Sequence, residues 1–271
     1  MLKVQQTQEI PITSEIESPH HKQERTSEYE VIPDICVVIP TINEAGTIRE
    51  LLEGLRELHG LHMRAVVVDD GSTDGTLDIV QDLRQYKGEV SLINRGRKLG
   101  LGTAIREGIE NALRLDPCPD YIVTMDGDLS HDPSDLHRLV EECDEGSIVI
   151  GSRYIKGGKV TGWSLYRRMV SLGANLMARA LLNIPARDCT SGYRCYRAGL
   201  ARSIIPEMKS TGFCIQIETL SAAVGRGFRI KEVPITFQER VSGESKLDAQ
   251  QIWEFSKGLL RLMKQTGGIM E

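Results

Sequence analysis

Tyr121-Ile122-Val123-Thr124-Met125-Asp126-Gly127-Asp128 decides how the rest of the chain is read. Its first five residues are apolar or β-prone, and the run stops at two carboxylates separated by one small residue. Such a segment reads as a buried strand that delivers oxygen ligands at its tip. A carboxylate pair suits a hard cation, because Mg²⁺ or Mn²⁺ held by one or two carboxylates keeps positions open for phosphate oxygens. Asp-Gly-Asp is also ordinary turn chemistry, so the choice rests on its surroundings.

Working outward, residues 35–39 make a strand broken by Pro40, and Ile48, Leu51, Leu52 and Leu55 give helical spacing over 44–58. A second strand at 65–68 ends in Asp69-Asp70-Gly71-Ser72, with residues 72–74 as candidate caps for a helix carrying Leu77, Ile79, Val80 and Leu83. Residues 90–93 form a short strand, 104–115 a helix, and 147–150 a further strand leading to Arg153. Strands alternating with helices of this length imply crossover connections and a mostly parallel sheet flanked by helices. Ligands of such sheets gather beyond the carboxyl ends of the strands. The loops 40–44, 69–72 and 126–128 therefore converge on one cleft. Crowding carboxylates there raises the cost of ionising each, which a divalent cation or a polyhydroxylated ligand relieves.

The 271 residues are 26% charged with a net charge of −5, so no global basic field announces a nucleic-acid partner. No apolar run is long enough to span a bilayer, and no signal peptide is read at the start, which predicts a cytoplasmic protein or one attached peripherally to the cytoplasmic face of a membrane. The six cysteines lack metal-type or disulfide spacing and read as reduced core residues. Residues 1–33 are polar and read as a flexible tail; 34–247 read as the catalytic domain and 248–271 as a C-terminal amphipathic helix.

Lys98-Leu99-Gly100-Leu101-Gly102-Thr103-Ala104 lacks the third glycine of a dinucleotide loop, since Ile105 stands there, and reads as a tight entry into a helix. Arg153 follows a strand and so faces the cleft; the competing reading is a surface arginine paired to Glu141 or Glu142. Residues 163–184 interleave Trp163, Leu165, Met169, Leu172 and Leu176 with Arg167, Arg168 and Arg179. That pattern fits either a helix at a bilayer interface or a core-facing helix, and Trp253, Phe255, Leu259 and Leu260 repeat the ambiguity.

Six motifs in order carry a resemblance: Pro40-Thr41-Ile42-Asn43-Glu44, Val68 to Ser72, Lys98 to Ala104, Asp126 to His131, Gly151-Ser152-Arg153-Tyr154, and Arg240 to Leu247. Over about 35–264 the chain resembles family 2 glycosyltransferases of the GT-A (Rossmann-like) fold, in particular the soluble catalytic type of polyprenol-phosphate (dolichol-phosphate) mannosyltransferase. The resemblance implies that Pro40, Ile42, Glu44, Val68 and Asp70 line a nucleotide pocket. It implies that Asp126, Gly127 and Asp128 meet the diphosphate, with Asp126, Asp128 and Ser130 at the Mg²⁺ or Mn²⁺. Arg153 and Arg167 would hold the acceptor phosphate, and Arg240 and Lys246 would close over the sugar nucleotide. Ile42 stands where the family often has Tyr, and Ser130 where many relatives have Gln. The implied reaction moves mannose from GDP-mannose to a polyprenyl (dolichyl) phosphate with inversion. UDP-glucose is the rival donor, an inactive scaffold subunit the rival class, and a peripheral membrane contact or a small membrane-anchoring subunit the implied route to the lipid.

Overall fold

The computed structural model describes residues 32–84, 89–239 and 249–267. The first half alternates strictly: β1 (Asp34–Thr41), α1 (Ile48–Arg56), β2 (His62–Asp69), α2 (Thr76–Arg84), β3 (Val90–Asn94), α3 (Leu101–Ala112) and β4 (Tyr121–Thr124). The second half is mixed. It runs α4 (Leu136–Glu142), β5 (Ser147–Ser152), β6 (Lys159–Val160), α5 (Leu165–Leu182), β7 (Arg194–Arg197), α6 (Ala198–Ile204), α7 (Ile215–Gly225), β8 (Arg229–Pro234), β9 (Thr236–Phe237) and α8 (Ala249–Gly267).

The central sheet has the order β3-β2-β1-β4-β7-β5-β8. Only β7 is antiparallel, to both β4 and β5, so the mostly parallel sheet implied by the alternation is present. Its β1 is central and apolar on both faces, with Ile35 through Ile39 fully buried, as a strand covered on both sides requires. Val38, Val66 and Val68 point to the side of α3 and α7, while Val37, Ile39 and Val67 point to the side of α1 and α2. This two-sided burial fixes the register, because a slip of one residue would exchange the faces. Thr41 pairs with Asp69, and the Met125 N–H donates to the Val38 carbonyl, so β1, β2 and β4 end along one rim.

Three differences from the sequence reading have local causes. The helix expected from residue 44 starts at Ile48, because the Glu44 carbonyl accepts the Thr47 and Ile48 N–H groups and 42–47 remain a loop. The helix expected from residue 104 starts at Leu101, after Gly100 at φ 101°, a conformation that glycine tolerates. Residues 233–237, whose β-prone sequence reads as one strand, divide at Ile235 between β8, on the sheet edge, and β9, which pairs with β6. All six cysteines are free thiols; five are buried and Cys118 is exposed.

Helix α3 lies close to the sheet at Gly108, where a Cβ would stand 2.3 Å from Val38 Cγ1 and 3.1 Å from Val68 Cγ2. Gly108→Ala should destabilise the protein by about 1–3 kcal/mol, since neither branched valine can retreat in a packed core. Urea denaturation should show a lower midpoint with an unchanged slope.

Candidate active site

The three loops named from sequence are stitched together by hydrogen bonds. The Asn43 N–H donates to Ser72 Oγ at 2.8 Å, Glu44 N–H to Thr76 Oγ1 at 2.9 Å and Ala45 N–H to Asp74 Oδ2 at 3.0 Å. Thr73 N–H donates back to Asn43 Oδ1 at 2.9 Å, and Thr47 Oγ1 donates to the Gly127 carbonyl at 2.9 Å. A Cβ at Gly127 would lie 3.1 Å from Thr41 Cγ2, so the 126–128 loop sits directly on the end of β1. Asp69 serves this scaffold, accepting from Gly71 N–H at 2.9 Å and Ser72 N–H at 2.8 Å. Asp70 faces the other way, into the cavity.

That cavity has a volume of about 380 Å³ and collects Pro40, Ile42, Glu44, Asp70, Asp126, Gly127 and Asp128 from the sequence-predicted set. Thr41, Lys98 to Leu101, Ala104, Thr211 to Phe213 and Glu254 complete its lining. Sequence reasoning did not assign the segment 211–213 or Glu254, which carry no motif and arrive through long-range packing. Asp70 is held on two sides, by Arg95 Nη1 at 2.7 Å from Oδ1 and by the Leu99 and Gly100 N–H groups at 3.3 and 2.8 Å from Oδ2. The glycine segment thus spends these two donors on Asp70. Val68, placed in the nucleotide pocket by the resemblance, is fully buried against α3 and does not line the cavity.

Behind the 126–128 loop stands His131, 1% exposed. The Asp126 N–H donates to its Nδ1 at 3.3 Å, and Nδ1 lies 3.9 Å from Asp126 Oδ2. Burial holds the imidazole below its ordinary pKa, which keeps Nδ1 an acceptor, although Asp126 and Asp128 pull in the opposite direction. The ring packs on Tyr193 and Phe237, at 5.0 and 5.2 Å between centroids. Leu129, between Asp128 and Ser130, adopts φ 58°, a left-handed conformation that costs a branched residue roughly 1 kcal/mol or more.

Arg153 is neither a surface residue nor a partner of Glu141 or Glu142. It is 7% exposed, and its Nε and Nη2 each lie 2.7 Å from a carboxylate oxygen of the buried Asp188, with Nη2 also 2.7 Å from Thr190 Oγ1. Burial by itself would lower the Arg153 pKa and raise that of Asp188, yet their mutual charge moves both the other way, so the pair is ionised. Nη1 makes no hydrogen bond among the described residues. The guanidinium carbon lies 5.3 Å from the Trp163 and Phe237 ring centroids, and that of Arg167 lies 4.2 Å from Trp163. Trp163, Phe237, His131 and Tyr193 thus pack in series, with Arg153 and Arg167 on Trp163 and the Asp126 N–H on His131, while neither arginine lines the cavity itself. Arg240 and Lys246 lie outside the described residues.

Ser130 stands in the oxygen-rich loop. Its Oγ is fully buried and has no hydrogen-bond partner among the described residues, beside Asp128, whose Oδ1 accepts the Ser130 N–H at 3.1 Å. An orphaned hydroxyl next to a carboxylate, with Asp126 on the same loop, is an all-oxygen set of the kind Mg²⁺ and Mn²⁺ prefer. Among the described residues no cluster of three or more His, Cys, Asp or Glu side chains forms a closed metal cage. The residues therefore fit a cation that shares its coordination with a ligand.

Residues 36–205 match the glycosyl transferase family 2. The chain belongs to that family. This family 2 member is 39% identical over 239 residues to the dolichol-phosphate mannosyltransferase of Pyrococcus furiosus, spanning 87% of this chain and 65% of that protein's length. It is 38% identical over 221 residues to the polyprenol monophosphomannose synthase of Mycolicibacterium smegmatis, spanning 80% of this chain and 82% of that one. Glucosyl-3-phosphoglycerate synthase of Mycobacterium tuberculosis, crystallised with Mn²⁺, UDP and glucosyl-3-phosphoglycerate, superimposes with a TM-score of 0.61 at 20% identity, covering 86% of this chain and 80% of that one. At that identity the likeness shows the shared fold.

Asp188→Ala leaves the Arg153 cation buried without its partner and should cost about 3–5 kcal/mol of stability, far more than the loss of a solvent-exposed pair such as Arg229–Asp144. Parallel denaturation of the two alanine variants, Asp188→Ala and Asp144→Ala, checks the contrast.

Proposed function

We propose that this family 2 glycosyltransferase moves mannose from GDP-mannose to a polyprenyl (dolichyl) phosphate, giving polyprenyl-phosphate mannose and GDP with inverted anomeric configuration. The observation that carries the reading is the cavity in which Asp70, Asp126 and Asp128 meet, with Arg153 behind it across Phe237 and His131. The names of the two relatives at 38% and 39% identity supply the sugar and the acceptor class.

In this reading the nucleoside sits between Pro40, Ile42 and the 98–101 loop, with Asp70, anchored by Arg95, as an acceptor for base or ribose hydrogens. The diphosphate lies at Asp126-Gly127-Asp128. Asp126, Asp128 and Ser130 would hold Mg²⁺ or Mn²⁺, which when bound supplies positive charge to the departing diphosphate. The acceptor is a phosphate monoester, already largely ionised near neutral pH. It needs positioning and charge neutralisation more than a base. Asp188 and Thr190 orient the Arg153 fork and leave Nη1 for a phosphate oxygen; Arg167 on Trp163 adds a second cation. An acceptor oxygen then forms a bond to the anomeric carbon as the bond to the GDP oxygen breaks on the opposite face.

The lipid acceptor also requires contact with a bilayer. Among the described residues no helix is long and apolar enough to cross a membrane. Helix α5 instead exposes Leu165, Met169, Leu172 and Leu176 at 75%, 64%, 49% and 65%, and α8, which packs beside it, exposes Trp253 and Leu260. We read this apolar face, with Arg168 and Arg179 on the same helix, as seated on the cytoplasmic membrane surface. A separate anchoring subunit would cover the same face. A second donor, UDP-glucose, is favoured by one observation, the fold neighbour crystallised with Mn²⁺ and that sugar nucleotide.

Incubation with labelled GDP-mannose or UDP-glucose and a short polyprenyl phosphate should yield mannolipid from the first donor only. Asp128→Ala should lower kcat by at least about a hundredfold. Lipid formed only from UDP-glucose would replace the donor, and no product from either would sink the reading. Leu172→Glu with Leu176→Glu should abolish flotation with anionic vesicles while GDP binding is retained.

A further inference from the structure

Residues 211–213, which lead into α7, and Glu254 of α8 line the cavity assigned above to the sugar nucleotide. The Gly102 N–H donates to the Thr211 carbonyl at 2.8 Å, and a Cβ at Gly100 would stand 2.5 Å from the same oxygen, so 211–213 packs directly on the glycine segment. A Cβ at Gly212 would meet Glu254 Oε2 at 3.8 Å, an ordinary contact, which places that carboxylate over the Gly212 backbone. Gly258 and Arg261, four and seven residues on, share the Glu254 face of the helix and fix it there. Arg261 Nη2 donates to Ser210 Oγ at 2.7 Å and to Glu218 Oε1 at 2.8 Å, and a Cβ at Gly258 would stand 2.4 Å from Cys214 Sγ. Glu254 is therefore presented by a docked helix.

The carboxylates of the cavity divide by position. Asp126 and Asp128 lie on the loop after β4, and Glu44 joins them, its Cγ 3.6 Å from where a Cβ at Gly127 would stand. Asp70 commits one oxygen to Arg95 and the other to the Leu99 and Gly100 N–H groups. Glu254 instead lies beside Gly212, on the side of the glycine segment, where the nucleoside is placed. Among the described residues Phe213 is the sole aromatic side chain in the lining, and it is half exposed. An apolar ring left open at a cavity wall offers a flat face on which a nucleobase stacks.

Resting on the sugar-nucleotide reading above, we propose that Phe213 and Glu254 read the nucleobase: Phe213 stacks on its face, and the Glu254 carboxylate accepts two hydrogen bonds from the edge of guanine. Guanine presents N1–H and its 2-amino group side by side, a fork that a carboxylate accepts with both oxygens. Uracil presents one N–H between two carbonyl oxygens, which the carboxylate repels. A site built to pair with a donor discriminates against a base that lacks it. Asp70 is left to the ribose.

Titration calorimetry with nucleoside diphosphates tests the pairing without requiring transfer. Wild-type protein should bind GDP about ten- to a hundredfold tighter than inosine diphosphate, which lacks only the 2-amino group. Glu254→Gln should weaken GDP by a similar factor, leave UDP within about threefold, and shrink the GDP-to-inosine difference to about threefold or less. Phe213→Ala should weaken GDP and UDP alike, by about fivefold or more, because every base has a face to stack. Equal weakening of GDP and UDP in Glu254→Gln, an unchanged GDP-to-inosine ratio, or a wild-type preference for UDP overturns the inference. Protein that binds GDP in this Glu254-dependent way yet transfers no mannose refutes the functional reading and leaves the base assignment standing.

Discussion

A hydrogen bond to a neutral histidine anchors the start of the acidic loop. The Asp126 backbone N–H points into Nδ1 of His131, and that acceptor exists only while the ring is unprotonated. Tyr193 and Phe237 enclose the ring and exclude water, which is what keeps it neutral between two carboxylates. Phe237 also touches the Arg153 guanidinium, so His131 behind the acidic loop and the Arg153–Asp188 pair pack on the same aromatic ring. The left-handed Leu129 is tolerated in this setting because the residues on either side are already tied down.

The opposite wall of the cavity follows a different logic. Asp70 is surrounded by donors, with Arg95 on one oxygen and two backbone N–H groups on the other. Those contacts fix the orientation of its carboxylate within the cavity lining. The short glycine segment is therefore a device for orienting a carboxylate, and its backbone donors are not spare for phosphate.

The parallel half of the sheet was legible because each strand there is a continuous apolar run ending in a polar turn, and because hydrophobic spacing marks the intervening helices. The same reasoning placed Pro40, Ile42, Glu44, Asp70 and the 126–128 loop at strand ends, and all of them line one cavity. What the residues hid was the mixed half. Strand β7 reads Arg-Cys-Tyr-Arg, and no propensity signals that Arg194 is fully buried; its charge is accommodated by the carbonyls of Ser191 and Cys189, in the turn that precedes the strand, and of Gln216, which only the fold brings near. Asp188 was likewise invisible as the partner of Arg153, since 35 residues separate them and only the fold joins them. Val68 was misjudged for the reverse reason: it precedes a motif that reaches the cavity, yet alternation along β2 turns its side chain toward α3.

The reversal of β7 has a consequence for how this chain can diversify. Because that strand runs against its neighbours, the segment entering it, rather than the one leaving it, arrives at the rim where β4 and β5 end. Gly192, at the end of that segment, thus meets Asp126 from a part of the chain independent of the loops after β1 and β2. Changes there can alter the surroundings of Asp126 while those two loops stay intact, a modularity that a wholly parallel sheet would not provide.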